Sequence, residues 1–251
     1  MWIAEGLIHE KSGISLEETA ENYLEDLINW NLVKVEKMRP DGRVKTCRID
    51  DMVRNFCINE ARNENFLQEM KRSVNELEPS IAELEKVRRL CIDSNLLNFL
   101  YLKPRRWSVR SFVCFSKKEV QLSRNESRAI LSAFELLRVL EAKSIKFTTI
   151  PHGMYRLVHL KYLTLSVDLS ILPHYFSSFF NIQTLIIDTT SHTVEIKANI
   201  WKMVQLRHLK INAVTTLPET GKGSKEGETS VHLVQFHQRV AEKKYSKGLA
   251  I

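Results

Sequence analysis

A short apolar motif recurs along the second half of the chain. It consists of an apolar residue, two variable residues, a second apolar residue, one variable residue and a third apolar residue, and its copies begin at Val87, Val109, Leu137, Leu160, Ile182 and Leu206. Successive copies start 22, 28, 23, 22 and 24 residues apart, within the period of about 20–29 residues that is typical of leucine-rich repeats. Because one such unit cannot bury its own apolar face, neighbouring units must stack. We therefore predict a leucine-rich-repeat solenoid of about six units over residues 87–220.

Each later unit also carries a second apolar pattern after the first. In "IPHGMYRLVHL", "LPHYFSSFFNI" and "IKANIWKMVQL" the apolar residues recur at nearly helical steps. This combination predicts one short strand per unit, followed by an irregular or helical return. Positions 1, 4 and 6 of each strand should then point into the core, and positions 2, 3 and 5 should point outward from the concave face.

The second position of the motif is basic in five of its six copies. These residues are Arg88, Arg110, Arg138, Lys161 and Arg207, with Gln183 as the exception. Adjacent strands lie about 5 Å apart, so the predicted sheet carries a row of like charges that repel by on the order of 1 kcal/mol or less per neighbouring pair. Two interpretations stay open: the charges keep the repeat surface hydrated, or they form an interaction face for an acidic partner.

The first 66 residues have a different organisation. Ser15 and Glu18 form a predicted capping box at the start of an amphipathic helix. Two alternating segments then flank Pro40-Asp41-Gly42, a sequence typical of a tight hairpin turn. A second helix follows "CRI", where either Asp50 or Asp51 can cap its first N–H groups. Helix, hairpin and helix predict a partial winged-helix domain over residues 1–66, so the fold class is α+β followed by repeats.

The first of these helices is strongly acidic. Its carboxylates are Glu17, Glu18, Glu21, Glu25 and Asp26. They form either a solvated face or an acidic docking surface. Winged helices often bind DNA through a basic helix, and the net charge of +7 is compatible with such a partner. The acidic helix would repel phosphate, so a nucleic-acid-binding module with an attached repeat domain is the alternative function and not the preferred one.

The rest of the chain restricts the function further. Residues 67–86 are charged and helical in tendency, with Pro79 as a break, and predict a helical connector. Residues 221–251 lack the motif, and their Gly-rich start predicts a flexible tail. No two of the four cysteines have C-x-x-C spacing, and the eight histidines are scattered along the chain. We therefore expect no metal site and no catalytic residues. No apolar run approaches the ~18 residues of a membrane span.

Three segments together resemble a plant protein family. "WIAEGLI", "LEETAENYLEDLINWNLVKVEK" and "GRVKTCRIDDMVRNFC" are similar to coiled-coil nucleotide-binding leucine-rich-repeat disease-resistance proteins, in particular late blight resistance proteins of the nightshade family. The resemblance implies that the winged helix closes a nucleotide switch that is held inactive by ADP and activated by ATP. It also implies that Ile49, Asp50 and Asp51 occupy the family's nucleotide-sensing Met-His-Asp motif. Asp50 then replaces a histidine, and an ionised carboxylate repels a phosphate that a histidine could bind.

The resemblance also sets the expected partners. No G-x-x-x-x-G-K-[ST] loop is present, so we expect no cofactor in this chain and assign ADP or ATP to an upstream nucleotide-binding domain. We interpret the chain as a truncated, cytoplasmic immune-receptor fragment that acts in the hypersensitive response, with peripheral membrane attachment left open. Its expected partners are its own upstream nucleotide-binding and coiled-coil domains and a pathogen effector or guarded host protein. We further predict that the first repeats dock on the acidic helix through complementary charge.

Overall fold

The computed structural model describes residues 1–72, 77–78, 87–93, 96–101, 108–116 and 118–216. It begins with a short helix, α1 (Trp2–Glu5), which ends at Gly6 in the left-handed conformation, with φ of 79°. Helix α2 (Leu16–Asn29) starts where predicted, because the Ser15 hydroxyl accepts a hydrogen bond from the Glu18 N–H at 3.1 Å. This bond satisfies one of the free N–H groups at the helix start.

The predicted hairpin and second helix are also present. Strands β1 (Val33–Met38) and β2 (Val44–Ile49) pair in antiparallel fashion. Gly42 between them has φ of 82°, a conformation that glycine adopts without steric cost. Helix α3 (Asp51–Asn63) follows directly. The predicted winged-helix arrangement at the N-terminus is therefore confirmed.

The prediction of a helical connector over residues 67–86 is wrong for the residues that the structure describes in that range. Residues Gln68–Arg72 form strand β3, which pairs with the short strand β4 (Leu77–Glu78) on one side and with β5 (Arg89–Ile92) on the other. Met70 is only 2% exposed, so burial of this side chain and parallel pairing with β5 override the local helical preference. The remaining connector residues, 73–76 and 79–86, lie outside the described part.

The strands of the motif form one sheet. The further strands are β6 (Ser111–Cys114), β7 (Val120–Leu122), β8 (Val139–Phe147), β9 (Tyr162–Val167), β10 (Ile171–Leu172), β11 (Thr184–Asp188), β12 (Thr193–Ile196), β13 (His208–Ile211) and β14 (Val214–Thr216). The order β5-β6-β8-β9-β11-β13 follows the chain, and each neighbouring pair is parallel. Strand β7 also pairs with β8, while β10, β12 and β14 form a small second parallel sheet.

The returns between strands cover one face of the large sheet. They contain helices α4 (Leu96–Tyr101) and α5 (Arg124–Ala133) and three 3₁₀ turns at His152–Arg156, His174–Ser178 and Ile200–Lys202. Helix α5 starts with a complete capping box between Ser123 and Glu126. This added helix accounts for the longer spacing of 28 residues between the motif copies at Val109 and Leu137.

The core lies between the large sheet and these returns. Positions 1, 4 and 6 of all six motif copies are buried, from Val87, Leu90 and Ile92 to Leu206, Leu209 and Ile211. A cluster of aromatic rings fills the first units, since the Phe112 ring centroid lies 5.2 Å from that of Phe134 and 6.4 Å from that of Phe99. Full burial of each such side chain contributes about 1.5–3 kcal/mol. The predicted inward positions are thus confirmed, and the tail over 221–251 lies outside the described residues.

Candidate functional site

The opposite side of the large sheet, which carries positions 2, 3 and 5 of the motif, is called the outer face below. The residues at position 2 are joined by a chain of backbone hydrogen bonds. The Arg110 N–H donates to the Arg88 carbonyl at 2.7 Å, and the Arg138 N–H donates to the Arg110 carbonyl at 2.6 Å. The series continues through Lys161, Gln183 and Arg207 at 2.7–2.8 Å. The predicted row of basic residues is therefore held at strand spacing, about 5 Å from one member to the next.

One end of the winged helix is bound to the start of this face. The Arg89 Nε donates to Glu5 Oε2 of α1 at 2.8 Å, and only 11% of the Glu5 side chain is exposed. The same guanidinium lies 4.2 Å from the ring centroid of Phe66, which follows α3. A charged hydrogen bond shielded from water and a cation–π contact are both stronger than their exposed equivalents. This contact fixes α1 above β5.

A second contact binds the start of α2 to the far end of the described sheet. The Arg207 Nη2 donates to Glu17 Oε2 at 2.6 Å, and His208 Nε2 lies 3.2 Å from Glu17 Oε1. About a third of each side chain is exposed, 38% for Arg207 and 31% for Glu17. These partners are 190 residues apart in the sequence. Glu17 therefore connects the winged helix to β13.

The two contacts place Glu5 near β5 and Glu17 near β13, on well-separated strands of the large sheet. Five strand steps separate β5 from β13, which is a distance of about 24 Å. Several outward-pointing residues of the intervening strands are buried, among them Ser111 and Val139 at 1% and 0% exposure. The Met1 amino group interacts electrostatically with Glu141 of β8 and with Glu5, while burial lowers its pKa. The start of α1 thus lies near β8 as well as near β5.

The acidic residues of α2 do not act as one surface. Glu17 contacts the sheet, whereas Glu21 Oε1 lies 3.7 Å from Arg43 Nη1 in the hairpin turn. Glu18, Glu25 and Asp26 are exposed. The prediction that the first repeats dock on this helix is therefore wrong about the residues involved. Glu17 of α2 contacts the last described repeat, whereas the first repeat contacts Glu5 of α1. A helix exposes different sides to different neighbours, so only part of an acidic face can meet one partner.

The basic row is divided in a similar way. Arg207 is paired with Glu17. Arg88, Arg110 and Arg138 form no ion pair with the described residues, and together with Glu5 and Arg89 they line a small cavity. Lys161 continues the row on the next strand, beyond this cavity.

The Ile49-Asp50-Asp51 segment joins β2 to α3. Asp50 is the N-cap, since its Oδ1 accepts from the Met52 N–H at 3.1 Å and its Oδ2 lies 3.2 Å from Lys34 Nζ. The backbone bond and then Lys34 lower the pKa of the Asp50 carboxyl. Asp51 occupies the first helical turn and is exposed, and Ile49 is 45% exposed at the end of β2. Of the two candidate caps, the structure selects Asp50.

Three contact residues were not among the sequence-based candidates: Glu5, Arg89 and His208. Arg89 and His208 occupy position 3 of their motif copies, so the outward-pointing pattern could have indicated them. Glu5 was visible only as a charge within an apolar segment. Within the described residues, no group of His, Cys, Asp and Glu side chains is arranged to hold a metal ion. No helix in the described ranges is long and apolar enough to cross a membrane.

The winged-helix geometry agrees with a comparison against known protein families. Residues 1–57 match the family described as the disease resistance protein winged helix domain. The N-terminal segment is therefore similar to a disease-resistance winged helix. The match covers α1, α2, the hairpin and the first part of α3, which are the elements that carry Glu5, Glu17 and Asp50.

Most of the chain is also similar to late blight resistance proteins of Solanum demissum. Late blight resistance protein R1-A is 30% identical over 228 residues, which cover 86% of this chain and 18% of that protein. The late blight resistance protein homolog R1B-16 is 31% identical over 223 residues, 84% of this chain and 16% of that protein. A further homolog from the same species is 33% identical over 226 residues, 84% of this chain and 28% of that protein. The chain therefore spans less than a third of these relatives, and the similarity extends from the disease-resistance winged helix into the repeats.

Proposed function

We propose that this chain is the regulatory part of a plant immune receptor, in which the disease-resistance winged helix is held in a resting position on the repeats. The observation that carries the proposal is the pair of long-range contacts, Glu5 with Arg89 and Glu17 with Arg207. One contact joins the winged helix to β5 and the other joins it to the start of β13 in the same sheet. Contacts of this kind couple the position of the winged helix to whatever binds or distorts the repeats.

The repeats act in this proposal as a leucine-rich-repeat solenoid. The support is the chain-ordered, parallel pairing of the motif strands and the burial of positions 1, 4 and 6 in every copy. Stacked units of this kind respond together to a ligand, because each unit contacts its neighbours. A pathogen effector or guarded host protein is the partner that such a surface would sense.

The ion pair between Glu17 and Arg207 suits a releasable contact. Partly exposed pairs contribute only about 0–1 kcal/mol each, and the Glu17 pair is exposed to this degree. A partner that competes for the outer face therefore needs only a modest difference in affinity to shift the position of the winged helix. A fully apolar interface of the same extent would resist such release.

The exposed apolar side chains of the winged helix support a further partner domain. Met52 and Phe56 on α3 are 82% and 64% exposed, and Trp30 after α2 is 69% exposed. None of the α3 residues is buried. Apolar groups grouped on one element mark an interaction surface. In the proposed receptor this surface faces the nucleotide-binding domain, where Asp50 and Asp51 would lie close to ADP or ATP.

No specific observation favours the alternative of a nucleic-acid-binding module. The exposed carboxylates of α2 and the Asp50–Asp51 pair at the start of α3 place negative charge on both helices. Phosphate binding depends on the opposite charge.

The proposal is tested by grafting. The region of late blight resistance protein R1-A that is similar to this chain is replaced by residues 1–216, and the hybrid receptor is expressed in leaves without pathogen. We expect the unmodified graft to stay inactive and the Glu17→Arg graft to cause cell death, because the reversed charge repels Arg207. The double variant Glu17→Arg with Arg207→Glu should restore the inactive state.

The matched control is Glu18→Arg, which makes the same charge change on the neighbouring, exposed residue. It should leave the graft inactive. Equal cell death from the Glu17 and Glu18 variants at equal protein levels, or none from either, would contradict the proposed resting contact.

A further inference from the structure

The cavity at the start of the outer face has an unusual lining. Its walls are Glu5, Arg88, Arg89, Arg110 and Arg138, and its volume is about 60 Å³. Four arginines and a single glutamate therefore line it. Since Glu5 already accepts from Arg89 at 2.8 Å, the lining keeps an excess of three positive charges.

None of the three remaining arginines forms an ion pair with a residue that the structure describes. They lie on β5, β6 and β8 at the same motif position, and backbone hydrogen bonds of 2.6–2.7 Å hold them in one row. No described carboxylate other than Glu5 lines the cavity. Like charges at strand spacing repel one another, and the repulsion grows as water is excluded. The folded protein thus maintains an arrangement that an added anion would stabilise.

The shape of the cavity restricts the anion. A volume of about 60 Å³ holds a group of the size of a phosphate and excludes a helix or a folded peptide. Guanidinium groups present planar, forked donors that match phosphate oxygens in bidentate fashion. The hydroxyl of Ser111, the residue after Arg110, is buried and has no hydrogen-bond partner among the described residues, but Ser111 does not line the cavity.

The geometry points to a binding site for a small phosphate-bearing anion, formed by Arg88, Arg110 and Arg138 beneath α1. Adjacent arginines are about 5 Å apart, so one phosphate group in the cavity can accept from two of them, and a second, linked phosphate group would extend along the row outside the cavity. The site rests on the observed contact between α1 and β5 and does not require the receptor function proposed above. Its occupant would neutralise the row at the point where the winged helix meets the first repeats.

Calorimetric titration of the full chain with sodium pyrophosphate, without divalent metal and at constant ionic strength, tests this site. We expect saturable binding to one site and weaker binding of inorganic phosphate. Arg110→Gln and Arg138→Gln, examined separately, should each weaken pyrophosphate binding by about tenfold or more, because each loses a charged donor pair. Thermal unfolding without anion, followed by circular dichroism, shows whether each variant is folded.

The matched control is Lys161→Gln, which removes one positive charge from the same row outside the cavity. It should change the affinity less than about twofold. An equal loss in this variant, or no saturable binding by the unmodified chain, would overturn the site. Tighter binding of a hexaglutamate peptide than of pyrophosphate, with the same dependence on Arg110, would also overturn it and would assign the row to an acidic protein. These results are independent of cell death in the grafting experiment.

Discussion

The Asp50 carboxylate makes two different contacts at the start of α3. One oxygen accepts the Met52 N–H as a helix cap, and the other pairs with Lys34 of β1. Asparagine can still cap a helix but carries no charge, whereas alanine can do neither. We therefore expect the thermal unfolding temperature at pH 7 to fall in the order wild type, Asp50→Asn, Asp50→Ala. Circular dichroism at 222 nm measures this order.

The same contacts predict a pH dependence. The folded-state pKa of Asp50 lies below its ordinary value of 3.8. A carboxyl of this kind stabilises the fold above its unfolded pKa, and the contribution is lost as the pH falls through the folded pKa. The difference in thermal unfolding temperature between wild type and Asp50→Asn should therefore be constant above about pH 5 and shrink below pH 4. A difference that persists unchanged at pH 3 would show that Lys34 and the charge have no part in it.

Caps and turns were readable from the sequence because they are local. Ser15, Gly42 and the Asp50–Asp51 pair were each identified by residues within a few positions. Selection of Asp50 over Asp51 depends on backbone angles, since Asp50 is extended with φ of −60° and ψ of 144°. The contact of Glu5 with Arg89 joins residues 84 positions apart. No local pattern reports such a pair.

At the level of elements, β3 and α2 show that packing against other elements overrides or adds to the local sequence preference. Residues 68–72 form a strand because the edge of β5 offers parallel partners and a buried place for Met70. Helix α2 was predicted as a helix but not in its contacts, since Glu17 turns to β13 and Glu21 to the hairpin. Sequence spacing places a residue on a helix face, and the packing of other elements determines what that face meets.

The contact between α2 and β13 can be measured by charge exchange. Glu17→Arg and Arg207→Glu alone should each lower hydrogen-exchange protection at the start of α2 by about fivefold, which corresponds to roughly 1 kcal/mol. The double variant should recover most of this protection, because the opposite charges meet again. Hydrogen exchange read by mass spectrometry on peptides that cover residues 15–25 measures the effect. Additive losses in the double variant would mean that the two side chains do not interact.

At the level of the whole molecule, the repeat period determined more of the fold than composition did. A motif spacing of 22–28 residues was sufficient to place six strands and their inward positions. It could not show that Glu5 and Glu17 contact the large sheet, because these contacts join residues that are far apart in the sequence. The basic residues at position 2 of the motif therefore do not all have the same role. Arg207 is paired with Glu17, and Arg88, Arg110 and Arg138 line the cavity of the proposed anion site.

The reactivity of the two buried cysteines can test whether α1 shields the outer face from solvent. Cys91 occupies position 5 on the outer face, whereas Cys114 occupies position 6 in the core, at 8% and 1% exposure. Burial raises the pKa of the Cys91 thiol to about 12 and also raises that of Cys114. Thiols react as thiolates, so both should resist iodoacetamide at pH 8 while the exposed Cys47 and Cys57 are labelled.

Displacement of α1 should remove this protection selectively. In Glu5→Arg the reversed charge repels Arg89, which lies two residues before Cys91 on the same face of β5. Water then reaches the Cys91 thiol, its pKa returns toward the ordinary value, and its labelling rate should increase by roughly tenfold or more. Cys114 should stay protected until the core unfolds, and Glu18→Arg should change neither rate. If Cys91 in Glu5→Arg reacts as slowly as Cys114, the outer face is protected by the strands themselves, and the winged helix does not cover it.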